Sequence, residues 1–242
     1  MEKFNNKTVL VTGVTSAIGN EVAKKIIEAE GRVVGTFYQG DTTALLPLTE
    51  SGCLTLVRWD AMDSPAFIEN IENIDAWVHC IGVIDPKPIK YQTQTSTLAL
   101  FTLNYHSAAS VASELMKRNR LNAGGSVVFL SSVSSHYPYR GGAAYAASKA
   151  ALESFAKALA LEWSPKKIRV NVLVCGLVKS PMYDASAAMY TAEEEAKITS
   201  RYPLGIGAPT DVALPCLFLL SDDARWITGA QLLLDGGLML NV

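Results

Sequence analysis

The feature that most constrains this chain is a rhythm. Short, largely apolar runs rich in β-branched residues, at 8–11, 32–37, 54–57, 76–80, 126–130, 169–174 and 231–234, alternate with longer stretches at helical spacing, near 18–29, 95–118, 145–163 and 210–221. Runs this short and this apolar suit strands covered on both sides, and the intervening helices are what would cover them. The alternation predicts an α/β fold, a doubly wound parallel sheet with helices on both faces. With 242 residues, 49% of them hydrophobic, the chain can bury one large core, so 1–242 reads as a single domain. Only 181–207 breaks the rhythm, with small and acidic residues, and it is the candidate for a mobile substrate lid. Met182, Tyr183, Met189 and Tyr190 beside Glu193, Glu194 and Glu195 predict an apolar pocket under an acidic outer surface.

Charge and cysteine content remove several classes of function. A net charge of -2 with scattered Lys and Arg gives no basic stripe, which argues against a nucleic-acid partner. The N-terminus runs straight into the first strand with no signal-like apolar region, and no apolar stretch reaches membrane-spanning length. The expectation is a soluble cytoplasmic protein with no membrane partner. Cys53, Cys80, Cys175 and Cys216 lack the close pairs of a zinc or redox motif and read as reduced, mostly buried thiols. His79, His106 and His136 have no second ligand at metal spacing, so no metal site is expected and they read as structural or solvent-facing. His136 and Tyr137 follow closely on Ser132, which would bring them to a substrate.

The first strand ends in TGVTSAIG, placing Gly13 and Gly19 around a turn that opens into a helix. Glycine permits the tight bend and close backbone approach, and a helix N-terminus offers unpaired N–H groups to a pyrophosphate. Gly13, Thr15, Ser16 and Ile18 are therefore candidate cofactor-binding residues, although Ala17 stands where the general GxGxxG fingerprint has its middle glycine. Asp60, with Ala61 after it, follows the third strand and can bond an adenine amino group or cap the next segment. At the end of the second strand, Phe37, Tyr38 and Gln39 supply neither the acid that would bind a ribose 2′-hydroxyl nor an arginine. The missing acid inclines the reading to NADP over NAD.

Tyr145 and Lys149 lie four residues apart at the start of a helix, on one face, and Ser132 lies thirteen residues before Tyr145, just past a strand end. A phenol is a weak acid near neutrality, and a nearby ammonium would lower its pKa. Ser132 can hold a reacting oxygen while Tyr145 delivers the proton.

Together, TGVTSAIG, SSVSSHYPYRGGAAYAASK and the terminal ITGAQLLLDGG resemble the short-chain dehydrogenase/reductase family over essentially the whole chain, and the layout is similar to its 3-oxoacyl-carrier-protein-reductase-like branch. The resemblance implies a Rossmann-type seven-stranded sheet and a catalytic set at Asn104, Ser132, Tyr145 and Lys149. Lys149 would also hold the nicotinamide ribose, and Asn104 would support a water relay. It further implies that Val178 and Ser180, in IRVNVLVCGLVKSPM, meet the nicotinamide, that Asn171 holds loops beside its strand, and that the protein is a homotetramer or dimer.

Three departures from the family pattern surround the cofactor. HCIG replaces NNAG, putting Cys80, Ile81 and Gly82 at candidate cofactor positions; Cys175 replaces a proline, which would loosen φ there; and PLGIG lacks a frequent arginine. The function expected is NAD(P)(H)-dependent interconversion of a small-molecule ketone and a secondary alcohol. The alternatives are a cofactor-binding regulator or scaffold with little catalysis, and an assembly-only subunit that packs through Ala146, Ala147, Ala150, Ala151 and Phe155.

Overall fold

The computed structural model describes residues 4–188 and 190–240, so Met189 of the expected lid lies outside the described residues. Seven strands, β1 (Thr8–Thr12), β2 (Arg32–Phe37), β3 (Leu54–Arg58), β4 (Ile74–His79), β5 (Leu121–Ser132), β6 (Arg169–Cys175) and β7 (Gln231–Leu234), form one sheet. Every pairing is parallel, as the alternation predicted, and the order is β3-β2-β1-β4-β5-β6-β7. The strands are buried on both sides because alternate residues face opposite layers. Leu10, Trp77, Val127, Phe129 and Val172 point into one core. Val9, Val11, Val78, Val128 and Leu173 point into the other.

The helices are α1 (Ala17–Glu28), α2 (Leu46–Glu50), α3 (Gln94–Phe101), α4 (Ser107–Lys117), α5 (Ala143–Glu162), α6 (Pro181–Ala187), α7 (Ala192–Thr199) and α8 (Pro209–Leu220). Residues of α4 and α5 fill the first core, residues of α1 and α8 the second.

The structure departs from the sequence reading in two informative places. The helix expected over 95–118 is two helices joined by one π-helical turn, Thr102–His106, which inserts an extra residue into the hydrogen-bond ladder at Asn104. And β5 begins five residues before the expected 126, at Leu121. Its Asn-Ala-Gly-Gly start reads as a turn, but here it forms an irregularity in the pairing with β4, where Ile74 meets Leu121 and Ala76 already meets Ser126.

Candidate active site

Strand order reverses between β1 and β4, so the connections leaving their carboxyl ends diverge and open a crevice. A cleft of about 640 Å³ lies there. Gly13 is in the left-handed region at φ +82°, and a Cβ on it would meet Ile81 at 3.1 Å. A Cβ on Gly19 would stand 2.4 Å from the Gly13 carbonyl oxygen. These contacts fold the turn tightly onto the start of α1. Ser16 caps that helix, accepting from the Gly19 N–H at 3.1 Å and donating to the Gly13 carbonyl at 2.8 Å, so its hydroxyl is spent within the turn. The first-turn N–H groups that a cap leaves unpaired belong to Ala17 and Ile18, which line the cleft together with Thr15.

The other wall comes from the end of β4. Cys80 is buried, and its N–H bonds the Thr12 carbonyl at 2.9 Å, holding the two strand ends together. Cys80, Ile81 and Gly82 all line the cleft, as do Val178 and Ser180 beyond β6. Burial pushes the Cys80 and Cys175 thiols up to about 12, so both stay protonated. Cys175 is the last residue of β6, paired with Ser132 on one side and Leu234 on the other. The sheet pairing on both sides holds the backbone at the position where the family pattern has a proline. Both cysteines are buried residues of the cleft wall, with a thiol where the family pattern has an amide or a ring.

Asn104 sits at the centre of a complete set of bonds. Its Oδ1 accepts from the Val83 N–H at 2.8 Å, and its Nδ2 donates to the Val83 carbonyl at 3.0 Å and the Ser148 hydroxyl at 2.9 Å. Asn104 thus clamps the loop after β4 to α5, beside Lys149. Ser148 and Val83 have no signature in the sequence, because a bond between loop and helix appears only once the π-helical turn aims the amide.

Tyr145, Lys149 and Ser132 all line the cleft. Ser132 lies near the Tyr145 phenol, donates to the Ser134 hydroxyl at 3.2 Å and accepts from the Ser134 N–H at 3.2 Å. Lys149 is buried and donates from Nζ to the Leu130 carbonyl at 2.9 Å. Burial drops its ammonium to about 8, with neighbouring Cys175, Cys80 and Glu153 opposing the fall. Burial also raises the Tyr145 phenol to about 12, and the nearby Ser132 hydroxyl only partly offsets it. The phenol's shift is opposite to the lowering expected from a neighbouring lysine, because desolvation outweighs any favourable charge there.

Tyr38, Asp60 and Ala61 lie at the ends of β2 and β3, outside the cleft lining. Asp60 accepts from the Met62 N–H at 2.9 Å and so caps the following turn. The structure adds a residue that the sequence reading missed: Arg58, whose guanidinium carbon lies 5.8 Å from the Tyr38 ring centroid. It ends β3 directly beside Phe37 of β2, a neighbourhood that exists only through strand pairing.

The three histidines fall in three environments. His79 is fully buried between the Thr12 hydroxyl at 2.8 Å and the Ser107 hydroxyl at 3.3 Å, and burial drops its pKa to about 3. His106 is exposed, with its ring on Tyr105. His136 pairs with Glu153 at 2.9 Å. Among the described residues, no three His, Cys, Asp or Glu side chains are grouped to hold a metal. None of the helices described is long and apolar enough to cross a membrane. Asn171 donates to the Ile227 carbonyl and accepts from the Ala230 N–H, anchoring the loop into β7.

An open parallel sheet with a glycine turn at its switch point and polar side chains at its carboxyl edge defines the class of Rossmann-type dinucleotide-binding proteins. Comparison narrows the class. The family model described as enoyl-(acyl carrier protein) reductase matches residues 13–239, and the chain belongs to the short-chain dehydrogenase/reductase family, as an oxidoreductase. It is 31% identical over 245 residues to D-erythrulose reductase of Gallus gallus, covering 98% of each chain. It is also 31% identical to 2,3-dihydro-2,3-dihydroxybenzoate dehydrogenase of Escherichia coli, covering 97% of each. A short-chain type dehydrogenase/reductase from Mycobacterium ulcerans superposes with a TM-score of 0.89 at 26% identity, covering 99% of this chain and 92% of that one.

Proposed function

We propose that this protein reduces a small-molecule ketone to a secondary alcohol, reversibly, with Tyr145 as the acid. The observation that carries the reading is the convergence of Ser132, Tyr145 and Lys149 on one cleft, with the serine hydroxyl near enough to the phenol to oppose the rise in its pKa. Two neighbouring hydroxyls can both reach one oxygen, which suits a carbonyl better than a carbon–carbon double bond.

The residues present fit a nicotinamide dinucleotide. The tight glycine turn leaves the start of α1 open to a pyrophosphate, and Ile81, Gly82, Val178, Ser180 and Lys149 line the continuation of the same cleft. When bound, that group supplies the hydride. Ser132 then donates to and aligns the carbonyl oxygen, and Tyr145, protonated at neutral pH with its pKa about 12, hands over its proton as negative charge develops on that oxygen. Lys149, held by the Leu130 carbonyl, brings positive charge to the phenolate left behind. Asn104 fixes the loop that bears Gly82, whose added Cβ would stand 3.0 Å from the Lys149 Nζ.

NADP is the favoured cofactor. Arg58 offers a guanidinium beside Tyr38 at the edge where an adenosine 2′-phosphate would sit. Asp41, the nearest acid after β2, is occupied in capping the Thr43 N–H at 2.8 Å.

The 181–207 segment acts as a substrate lid. Its base is pinned where Val178 pairs with Gly207, and Met182, Tyr183 and Tyr190 line the cleft beneath it. Its acids have local duties: Glu194 completes a capping box with Thr191, and Glu195 accepts from the Tyr183 hydroxyl at 2.8 Å. Exposed Leu214 and Phe218, one turn apart on α8, together with Leu232 and Leu233 on the edge strand, support assembly into a homotetramer. The buried, free thiols of Cys80, Cys175 and Cys216 suit a reducing compartment such as the cytoplasm.

The test is Tyr145→Phe, assayed by NADPH oxidation against a library of ketones. Turnover should fall by about 100-fold or more while NADPH binding is unchanged. Full turnover in this variant refutes the mechanism.

A further inference from the structure

One buried carboxylate holds no reacting atom, although its charge opposes the fall in the Lys149 pKa. Glu153 lies on α5 one turn beyond Lys149 and two beyond Tyr145, and its side chain is only 5% exposed. Its neighbours on the buried side of this helix are Leu152, Ala156, Leu159 and Ala160, so an apolar residue would be the cheaper occupant. Instead the carboxylate is fully engaged. Its Oε1 lies 2.5 Å from both the Ser131 and the Ser135 hydroxyls. Its Oε2 accepts from the Gln231 Nε2 at 2.7 Å and pairs with the His136 Nε2 at 2.9 Å.

The positions of these partners matter more than their number. Ser131 immediately precedes Ser132, and Ser135 and His136 end the turn that follows it, so one carboxylate grips both sides of the serine. Ser135 Oγ also lies 2.6 Å from the Ser132 carbonyl, and its single proton bridges that oxygen or Glu153. Gln231 opens β7 and anchors the cluster to the sheet. Tyr145, Lys149 and Glu153 stand at intervals of four residues along a rigid helix, which fixes the spacing between the phenol and the point where the serine's turn is held.

We infer that Glu153 is the positioning residue for Ser132: it ties the strand end and turn carrying the serine to the helix carrying Tyr145, and so sets the distance between the two hydroxyls. The inference rests on the reading of Ser132 and Tyr145 as the pair that holds the reacting oxygen.

The test compares Glu153→Leu, which removes all four bonds, with the near-isosteric Glu153→Gln, each alone and combined with Ser132→Ala. The first readout is amide exchange without any substrate. Exchange over 133–137 should rise about tenfold or more in Glu153→Leu while amides of β1 and α8 keep their protection. The second is reduction of butane-2,3-dione by NADPH. Here kcat should fall about tenfold or more, with KM and the NADPH Kd within about twofold, and Glu153→Leu should cost nothing further in the Ser132→Ala background. If Glu153→Leu does not fold, Glu153→Gln carries the same comparisons, because it presents donors to Gln231 and His136 where the carboxylate accepted.

Unchanged exchange over 133–137 overturns the inference, as does a loss in kcat that multiplies with that of Ser132→Ala. Failure of the catalytic reading looks different: Tyr145→Phe and Ser132→Ala would both keep full turnover while the exchange effect of Glu153 persisted.

Discussion

Replacing Lys149 by Met should make the folded protein more stable while abolishing most of its turnover. Lys149 is 4% exposed, and burial lowers its ammonium from the ordinary 10.5 to about 8. That gap corresponds to about 3 kcal/mol of unfavourable free energy whenever the side chain is charged in the native state. Methionine has a similar length and no charge, so it removes this cost without opening a cavity. It also leaves the Leu130 carbonyl without its Nζ donor, which returns about 1 kcal/mol. The net expectation at pH 7 is a gain of about 2 kcal/mol.

The sign can be checked with pH. Because the folded value lies below the unfolded one, the unfolded chain binds the extra proton between about 8 and 10.5, and wild-type stability rises through that window. At pH 9.5 the native lysine is already neutral, the residual cost is about 1 kcal/mol, and the variant's advantage should shrink to about zero. Urea unfolding without added nucleotide at pH 7 and 9.5 measures both values. A Lys149→Met protein that is less stable than wild type at pH 7, or an advantage that grows with pH, would refute the reasoning.

Two further outcomes follow from the cofactor side. Gly19→Ala places a Cβ 2.4 Å from the Gly13 carbonyl oxygen and 2.8 Å from the Ser16 hydroxyl, so the backbone of the turn must move. It should cost about 2 kcal/mol in urea unfolding and weaken binding of both NADPH and NADH. Arg58→Ala should weaken NADPH binding about tenfold in calorimetry and leave NADH unchanged; equal effects on the two would remove Arg58 from 2′-phosphate recognition.

Much of the site was legible because its residues are tied to local sequence rules. The Tyr145–Lys149 spacing is a helix period, Ser132 follows an unmistakable strand, and Gly13 occupies a turn that needs positive φ. Asn104 was identified by family resemblance, but its π-helical turn was not visible, since one inserted residue barely disturbs the apolar period. Arg58 escaped because it meets Tyr38 across two strands twenty residues apart. Glu153 escaped because a glutamate on a helix reads as a solvated residue until its partners are placed around it.

By itself, the sequence determined the alternation of strands and helices, the glycine turn after β1 and the candidacy of Ser132, Tyr145 and Lys149, because each depends on patterns between residues close in the chain. The tertiary structure decided the strand order, the burial that sets Tyr145 at about 12 and Lys149 at about 8, and the enclosure of Glu153. These depend on how much water is excluded and on which distant segments do the excluding, and only the folded chain brings those segments together.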